Sequence, residues 1–410
     1  MSRLFFLGLA LLVSCAGSPP PAPSPVLPTP TTDAGLAPAP TPTAKKLAAS
    51  PPVCPTPAQL VTDLTAASQA TSISLSGVNP LNCPEVGMTQ TWAGGKLMFS
   101  DSPEKPTVRG KLYEDGTLGA TSGTDYNRIF AYHVNGKTTG KMKFTVLLKN
   151  MGTETGALTL QKKGVAGPTN SYLYAGKMAF QRWLDSVAGT ATNVTAGSTV
   201  QFDTAFETAA VKDYLMHGIW DYSFDQPHQI TVCALNETDA PLTVCPTLTV
   251  PARDPSHQRG TFPNADKVYD SAAGVVLDTA TGIQQFPLAG NTPNDSNAVG
   301  TDVTDGSAQT LSGNYGVLYK LHLNTSATDG KKLGFLLNPR GGAWGGSVWA
   351  APGITPGGKF LIPPTTTSLG DNTKGAVEAK YLPGSAFTAW AQFMPTGGSA
   401  FPLRLVAIPH

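Results

Sequence analysis

The sequence predicts an all-β protein: two related β-sandwich domains behind a lipoprotein signal and a Pro-rich tether. Three observations carry that expectation. The N-terminus has the form of an export signal, the composition is dominated by turn formers, and the chain repeats itself at a spacing of 189 residues.

The signal comes first. Met1-Ser2-Arg3 supplies one positive charge, and Leu4 to Val13 is apolar apart from Gly8. That run is too short for a bilayer span, which needs about 20 apolar residues, and suits the h-region of a signal peptide. Leu12-Val13-Ser14-Cys15 matches the bacterial lipobox. The expectation is therefore a signal peptide over 1–14, lipidation of Cys15 and an extracytoplasmic chain held at a membrane by acyl groups. An ordinary signal peptide with an incidental Cys15 is the alternative. Residues 15–52, mostly Pro, Ala, Thr and Ser after the Cys, read as an extended tether with no core of their own.

The rest of the chain is long enough for two or three domains with cores. Charged residues make up 13% and the net charge is +1. That balance leaves no basic footprint for nucleic acid. The counts of 43 Gly and 36 Pro, with few long helical patterns, fit a turn-rich β protein. Without Cys15, the cysteines are Cys54, Cys83, Cys233 and Cys245. The local pairing Cys54–Cys83 and Cys233–Cys245 is favoured over the other two, and the second bond is expected to close a hairpin across Asn236–Asp239. A thiolate metal site is the alternative, but no Cys-x-x-Cys spacing supports it.

One short helix is expected, from Pro57 to Gln69. Thr56 suits its N-cap, Pro57 its first position, and Leu60, Val61, Leu64 and Ala67 one apolar face. Strands are expected around Lys143–Lys149, Ala157–Gln161, Gln229–Leu235 and Leu403–Ile408, where apolar and β-favouring residues lie between Gly, Asn and Pro clusters. The repeat places Tyr126 on Tyr315, His133 on His322, Asn135 on Asn324, Lys143 on Lys332, and Leu147 and Leu148 on Leu336 and Leu337. Gly176-Lys177-Met178 echoes Gly358-Lys359-Phe360. Domains are accordingly expected at 53–250 and 251–410, with the loop Pro251–Ser256 between the related sandwiches.

Tyr132-His-Val-Asn135, Lys162-Lys-Gly-Val-Ala-Gly-Pro168, Arg259-Gly-Thr-Phe-Pro-Asn264 and Gly313-Asn-Tyr-Gly-Val-Leu318 resemble motifs of bacterial secreted proteins associated with a copper amine oxidase N-terminal-type domain. The resemblance spans about 90–410. With its lipobox and tether, the whole chain also resembles Deinococcus cell-envelope lipoproteins of the surface-layer carotenoid-binding complex, with copper-only superoxide dismutase activity. What this implies is an accessory subunit of a surface-layer protein complex, with copper as cofactor, converting superoxide to O2 and H2O2. No motif carries that activity over residue by residue. Amine oxidase chemistry itself is not expected, because Asn314-Tyr315 is followed by Gly316 and no His-x-His occurs.

Hydrolase signals are missing as well: there is no Gly-x-Ser-x-Gly, no His-Glu-x-x-His and no phosphate loop. The histidines remain, since imidazole suits copper. His217 and His228 flank the turn Asp225-Gln226-Pro227, which could bring them to one point with Asp221 or Asp225 behind them. His133 and His322 occupy matching strand positions, as shared ligands or as a duplicated strand histidine in solvent. Lys320 suggests that His322 faces outward. His257 lies at the domain junction between Arg253 and Arg259, which could steer an anion or bind carbonyl groups. His410 ends the chain. Of the tryptophans Trp183, Trp220, Trp344, Trp349 and Trp390, Trp344 in Gly341-Gly-Ala-Trp-Gly-Gly346 is the one expected to be exposed and able to dock a ligand. The rival to the enzyme is a non-catalytic structural or binding lipoprotein docked on a surface-layer protein or polysaccharide.

Overall fold

The computed structural model describes residues 54–75, 77–122, 125–271, 276–350, 358–366, 368–381 and 387–410. The expected signal peptide, the expected lipidation site Cys15 and the expected tether lie outside the described residues. The chain opens with α1 (Ala58–Ala66), β1 (Ser72–Ser74) and β2 (Met88–Ala93). A first repeat follows: β3 (Leu97–Ser100), β4 (Gly110–Leu118), β5 (Asn127–Val134), β6 (Met142–Asn150), β7 (Gly156–Thr169), β8 (Thr192–Val194), β9 (Thr199–Gln201), β10 (Leu215–Phe224) and β11 (His228–Asn236). Helix α2 (Tyr172–Asp185) sits between β7 and β8, and the short α3 (Pro241–Val244) follows β11. After β12 (Arg259–Phe262), the second part holds β13 (Asp266–Ser271), β14 (Leu277–Asp278), β15 (Gln284–Leu288), β16 (Ala298–Asp302), β17 (Ser307–Leu311) and β18 (Leu318–Ser326). It ends with β19 (Leu333–Pro339), β20 (Gly346–Ala350), β21 (Gly358–Ile362), β22 (Lys374–Tyr381), β23 (Phe387–Phe393) and β24 (Leu403–Pro409). The protein is all-β, as its alternating apolar runs and turn clusters predict, and every strand expected from the sequence is present. No helix among the described residues is long and apolar enough to cross a membrane.

Strand order makes the duplication visible. One sheet of the first sandwich runs β3-β5-β10-β7-β8 and its partner β4-β11-β6-β9. The second sandwich runs β13-β18-β23-β20-β21 over β15-β24-β19-β22. Each strand of one repeat has a counterpart in the same place in the other. Even the parallel neighbours correspond, β3 with β5 and β13 with β18. In each sandwich the inner faces meet as two sheets packed face to face. Ile129, Trp220, Phe144 and Val232 fill the first core, and Tyr269, Tyr319, Phe286 and Leu405 the second.

The expected break at 250/251 falls between the repeats, yet hydrogen-bonded sheets run across it. Strand β2, ahead of the first repeat, pairs with β13 of the second, and β12, ahead of the second repeat, pairs with β3 of the first. The two exchanges are one long antiparallel ribbon. Met88 faces Ser271, Ala93 faces Asp266, Leu97 faces Phe262 and Ser100 faces Arg259, in a single continuous register. Glycine makes the crossover possible: a Cβ at Gly95 would lie 1.8 Å from the Tyr126 carbonyl oxygen. Each sandwich thus carries strands from the other segment: β12, β16 and β17 continue the sheet from β3, while β1 pairs with β22 and β2 with β13.

Local expectations are refined at several points. Helix α1 ends at Ala66, three residues before the expected Gln69, and extended Pro57 stands at its N-cap in place of Thr56. Leu60 and Leu64 cover the outer face of β19 and β24 through Leu336, Val406 and Ile408. Helix α2 was not expected. Its Ala175, Ala179, Phe180, Trp183 and Leu184 form the helical stripe that packs into the largest core. Both favoured cysteine pairings occur, Cys54 with Cys83 and Cys233 with Cys245. The second does not close a hairpin; it ties β11 to the turn after α3. Trp344 is 1% exposed, against the expectation of an exposed loop residue. Its neighbouring glycines serve close packing, since a Cβ at Gly346 would lie 2.7 Å from the Trp344 ring. The Gly176/Gly358 echo pairs a helix with a strand and has no structural counterpart.

Candidate functional site

The histidines expected to bind metal are held apart by the sheets. His133 points into the first core, where its ring stacks on Phe144 at 5.5 Å. The Pro103 carbonyl, 3.1 Å from Nδ1, can only accept, so Nδ1 carries the proton and Nε2 accepts from the Ser100 hydroxyl at 2.9 Å. Burial pushes the His133 pKa down to about 3. His217 lies on the opposite face of the same sheet, against Phe130 and Tyr132. Its Nδ1 donates to the Ala131 carbonyl at 2.8 Å, while Nε2 is buried without a partner, and burial lowers its pKa to about 4.

The turn at Asp225–Pro227 does not bring His217 to His228, because β10 and β11 belong to facing sheets. His228 donates from Nδ1 to the Gln226 carbonyl and accepts at Nε2 from the Tyr222 hydroxyl, at 2.9 and 2.8 Å. Asp221 is engaged by Arg128, and Asp225 accepts from the Ala157 amide. His322 is not the counterpart of His133. In β6 and β19 the 189-residue spacing keeps the face, with Leu148 and Leu337 inward and Leu147 and Leu336 outward. In β5 and β18 it reverses, and one residue of slip moves every side chain to the other face. His322 therefore stands on the outer face, 43% exposed, with Nδ1 2.7 Å from Asp270. Among the described residues no group of three or more His, Cys, Asp or Glu side chains is arranged to hold a metal ion. The described residues thus gather no three of these imidazoles at one point.

The arginines beside His257 have structural partners. Arg259 is 3% exposed and binds Asp302 at 2.9 Å and the carbonyls of Ser102, Leu112 and Pro251. Arg253 lies 3.6 Å from Asp302 and 3.3 Å from Asp305. A buried charge group missed by sequence reasoning joins the sandwiches. Arg128 grips Asp221 at 2.6 and 2.8 Å, lies 3.2 Å from Asp266, and donates to the carbonyls of Ala265 and Gly316. Lys320 reaches Asp266 at 2.6 Å, balancing two cations with two carboxylates.

A cleft of about 480 Å³ is lined by both repeats. Its rings are Phe99, Phe130, Tyr132, Tyr172 and Tyr315, with Asp101, Glu104 and His257 among them and the Gly397–Ala400 segment closing one side. A Cβ at Gly397 would meet the Tyr132 ring at 2.2 Å, so only glycine allows that wall. His257 bridges Glu104 at 2.6 Å and Asp254 at 2.7 Å. Tyr315 donates to the Ser399 carbonyl and Tyr172 to the Asp213 carbonyl. Asp101 Oδ1 is buried without a hydrogen-bond partner. Burial, then Glu104 and Asp254, push the Asp101 pKa well up. Sequence reasoning singled out His257 but not its neighbours, which come from segments scattered between Phe99 and Ala400 and carry no local motif.

No protein-family model matches the chain, and no curated protein matches it. Among solved structures, the chain is similar to the crystal structure of the PBSX exported protein XepA, at 11% identity over 82% of this chain and 88% of that one. The TM-score is 0.14, and the likeness carries no argument.

Proposed function

We propose that the chain is an extracytoplasmic envelope lipoprotein, anchored through Cys15, that acts as a binding subunit of a surface-layer complex. The observation that carries the binding role is the cleft between the sandwiches: aromatic walls, a few polar groups and a volume of about 480 Å³. Small-ligand sites are built in this way and commonly lie where two units meet. Anchoring has its own test. Metabolic labelling with palmitate should mark the wild type and leave Cys15→Ala unlabelled and released from the membrane fraction. Labelling of both would dismiss the lipobox reading.

The copper-dependent superoxide dismutase reading rests on the resemblance. It is tested on the mature chain, purified without metal and then loaded with copper. About one tightly held copper per chain, with activity that a chelator removes and copper restores, would establish the enzyme. Activity no greater than that of free copper ion would leave the binding subunit alone.

A further inference from the structure

We propose that the cleft between the two sandwiches binds a small organic ammonium ion, with Asp101 as its counter-charge and the surrounding rings as its walls. This rests on the binding role above and names the chemistry the cleft selects. Aromatic faces attract an ammonium group through their quadrupoles, most strongly where water is excluded. Here Phe99, Phe130, Tyr132, Tyr172 and Tyr315 all line the same space.

Two polar groups there are unanswered by the protein. Asp101 Oδ1 is buried and has no donor. Tyr132 is 5% exposed, and no described residue hydrogen-bonds its hydroxyl. The charges that act on Asp101 are Glu104 and Asp254, both negative. Every cation nearby is committed elsewhere. His257 sits between Glu104 and Asp254, Arg253 and Arg259 hold Asp302, and Lys105 stands 5.7 Å over the Tyr172 ring and 3.8 Å from Asp213. A buried carboxyl facing like charges favours its protonated form until a cation arrives. The ligand that resolves the conflict donates hydrogen bonds and carries positive charge. A neutral sugar supplies donors but brings no counter-charge to Asp101.

Binding then removes the proton from Asp101, so affinity should rise with pH. The other titratable groups lining this space are Glu104, His257, Tyr132, Tyr172 and Tyr315, with Asp254 against His257 and Lys105 over the Tyr172 ring.

Calorimetry on the mature chain tests this with choline, cadaverine, the neutral choline isostere 3,3-dimethylbutanol and an N-acetylglucosamine oligomer. The expected result is at least ten-fold preference for an ammonium compound over the isostere, proton release seen in buffers of different ionisation heat, and weaker binding at pH 5.5 than at 7.5. Choline and cadaverine distinguish a quaternary from a primary ammonium. Asp101→Asn should lose at least ten-fold in affinity with an undiminished melting temperature. Tyr132→Phe should keep the preference for positive charge. Equal affinity for isostere and choline, or preference for the oligomer, would overturn the ammonium assignment and leave the binding role standing. No heat with any probe from a folded protein would overturn both.

Discussion

The two repeats share a strand order but bury their sheets differently. In the first, β5 and β10 are buried along their whole length. In the second, the counterpart β18 alternates between buried and partly exposed residues over most of its length. On β10 the cause is α2, inserted between β7 and β8, which packs on β7 and β10 and on β20 of the other sandwich. The corresponding connection in the second repeat spans only residues 351–357. Duplication therefore supplied two similar sandwiches, and one insertion turned an outer face of the first into an interface. Polar residues on that interface had to find partners, and Arg128, Asp221, Asp266 and Lys320 found each other.

That buried group offers the sharpest way to break the comparison. Arg128→Met strands Asp221 in the interface and leaves Asp266 to Lys320, and losing one partner of a buried ion pair costs about 3–5 kcal/mol. Urea unfolding should show that loss in full. Arg128→Lys should recover little, since an ammonium cannot reproduce the two-pronged grip on Asp221. A loss under about 1 kcal/mol for Arg128→Met would show that the sandwiches are held by apolar packing alone. The second repeat keeps its buried cation inside the core instead, where Lys267 binds Asp295 at 2.7 Å beneath the ring of Trp92.

Next in size is His133→Ala. The substitution leaves a cavity beside Phe144 and deprives the Ser100 hydroxyl and the Pro103 carbonyl of their partner. Together these should cost about 2–3 kcal/mol by thermal or urea unfolding. Retained stability would mean that His133 serves something other than the fold.

A smaller effect comes from acid. His133 and His217, with pKa values lowered to about 3 and 4, and His228, also lowered, are neutral in the fold. The unfolded chain binds protons near pH 6.5, so the stability these groups contribute is complete above that value. It is lost as pH falls toward their folded-state values. His133 and His217 should each add a slope of about 1.4 kcal/mol per pH unit between about pH 6 and 4.5, and His228 a contribution of the same sign. His217→Asn should unfold with a shallower acid slope than wild type by about that amount. Equal slopes would mean that His217 is already protonated in the fold.

Much of this architecture was legible in the sequence. Strand runs such as Lys143–Lys149, the repeat and both cysteine pairings follow from local pattern, which is what period-two alternation and loop closure encode. The ribbon exchange was not legible, because β2 reads as an ordinary strand whichever sandwich it joins. Helix α2 was missed because Lys177 and Arg182 interrupt a stripe that Ala175, Ala179, Phe180 and Trp183 otherwise complete. Lys177 is nonetheless buried, donating to the carbonyls of Pro363 and Thr365. The cleft was hidden more deeply. Asp101, Tyr132 and Tyr315 meet only after both repeats fold, and no spacing announces them.

The smallest expected effect returns to the histidine that the sequence repeat placed opposite His133. His322 sits on an outer face, and its contact with Asp270 joins two side chains that are 43% and 54% exposed. Pairs of that kind are screened by solvent and contribute little. His322→Ala should therefore change the unfolding free energy by less than about 0.5 kcal/mol. The contrast with His133→Ala isolates what a single residue of register does. The same side chain at matching places in the sequence repeat is expected to be structural where β5 turns it inward and dispensable where β18 turns it out. A loss at His322 as large as that at His133 would mean that the outer face of β18 is covered in the assembled protein, and would move the search for a partner to that surface.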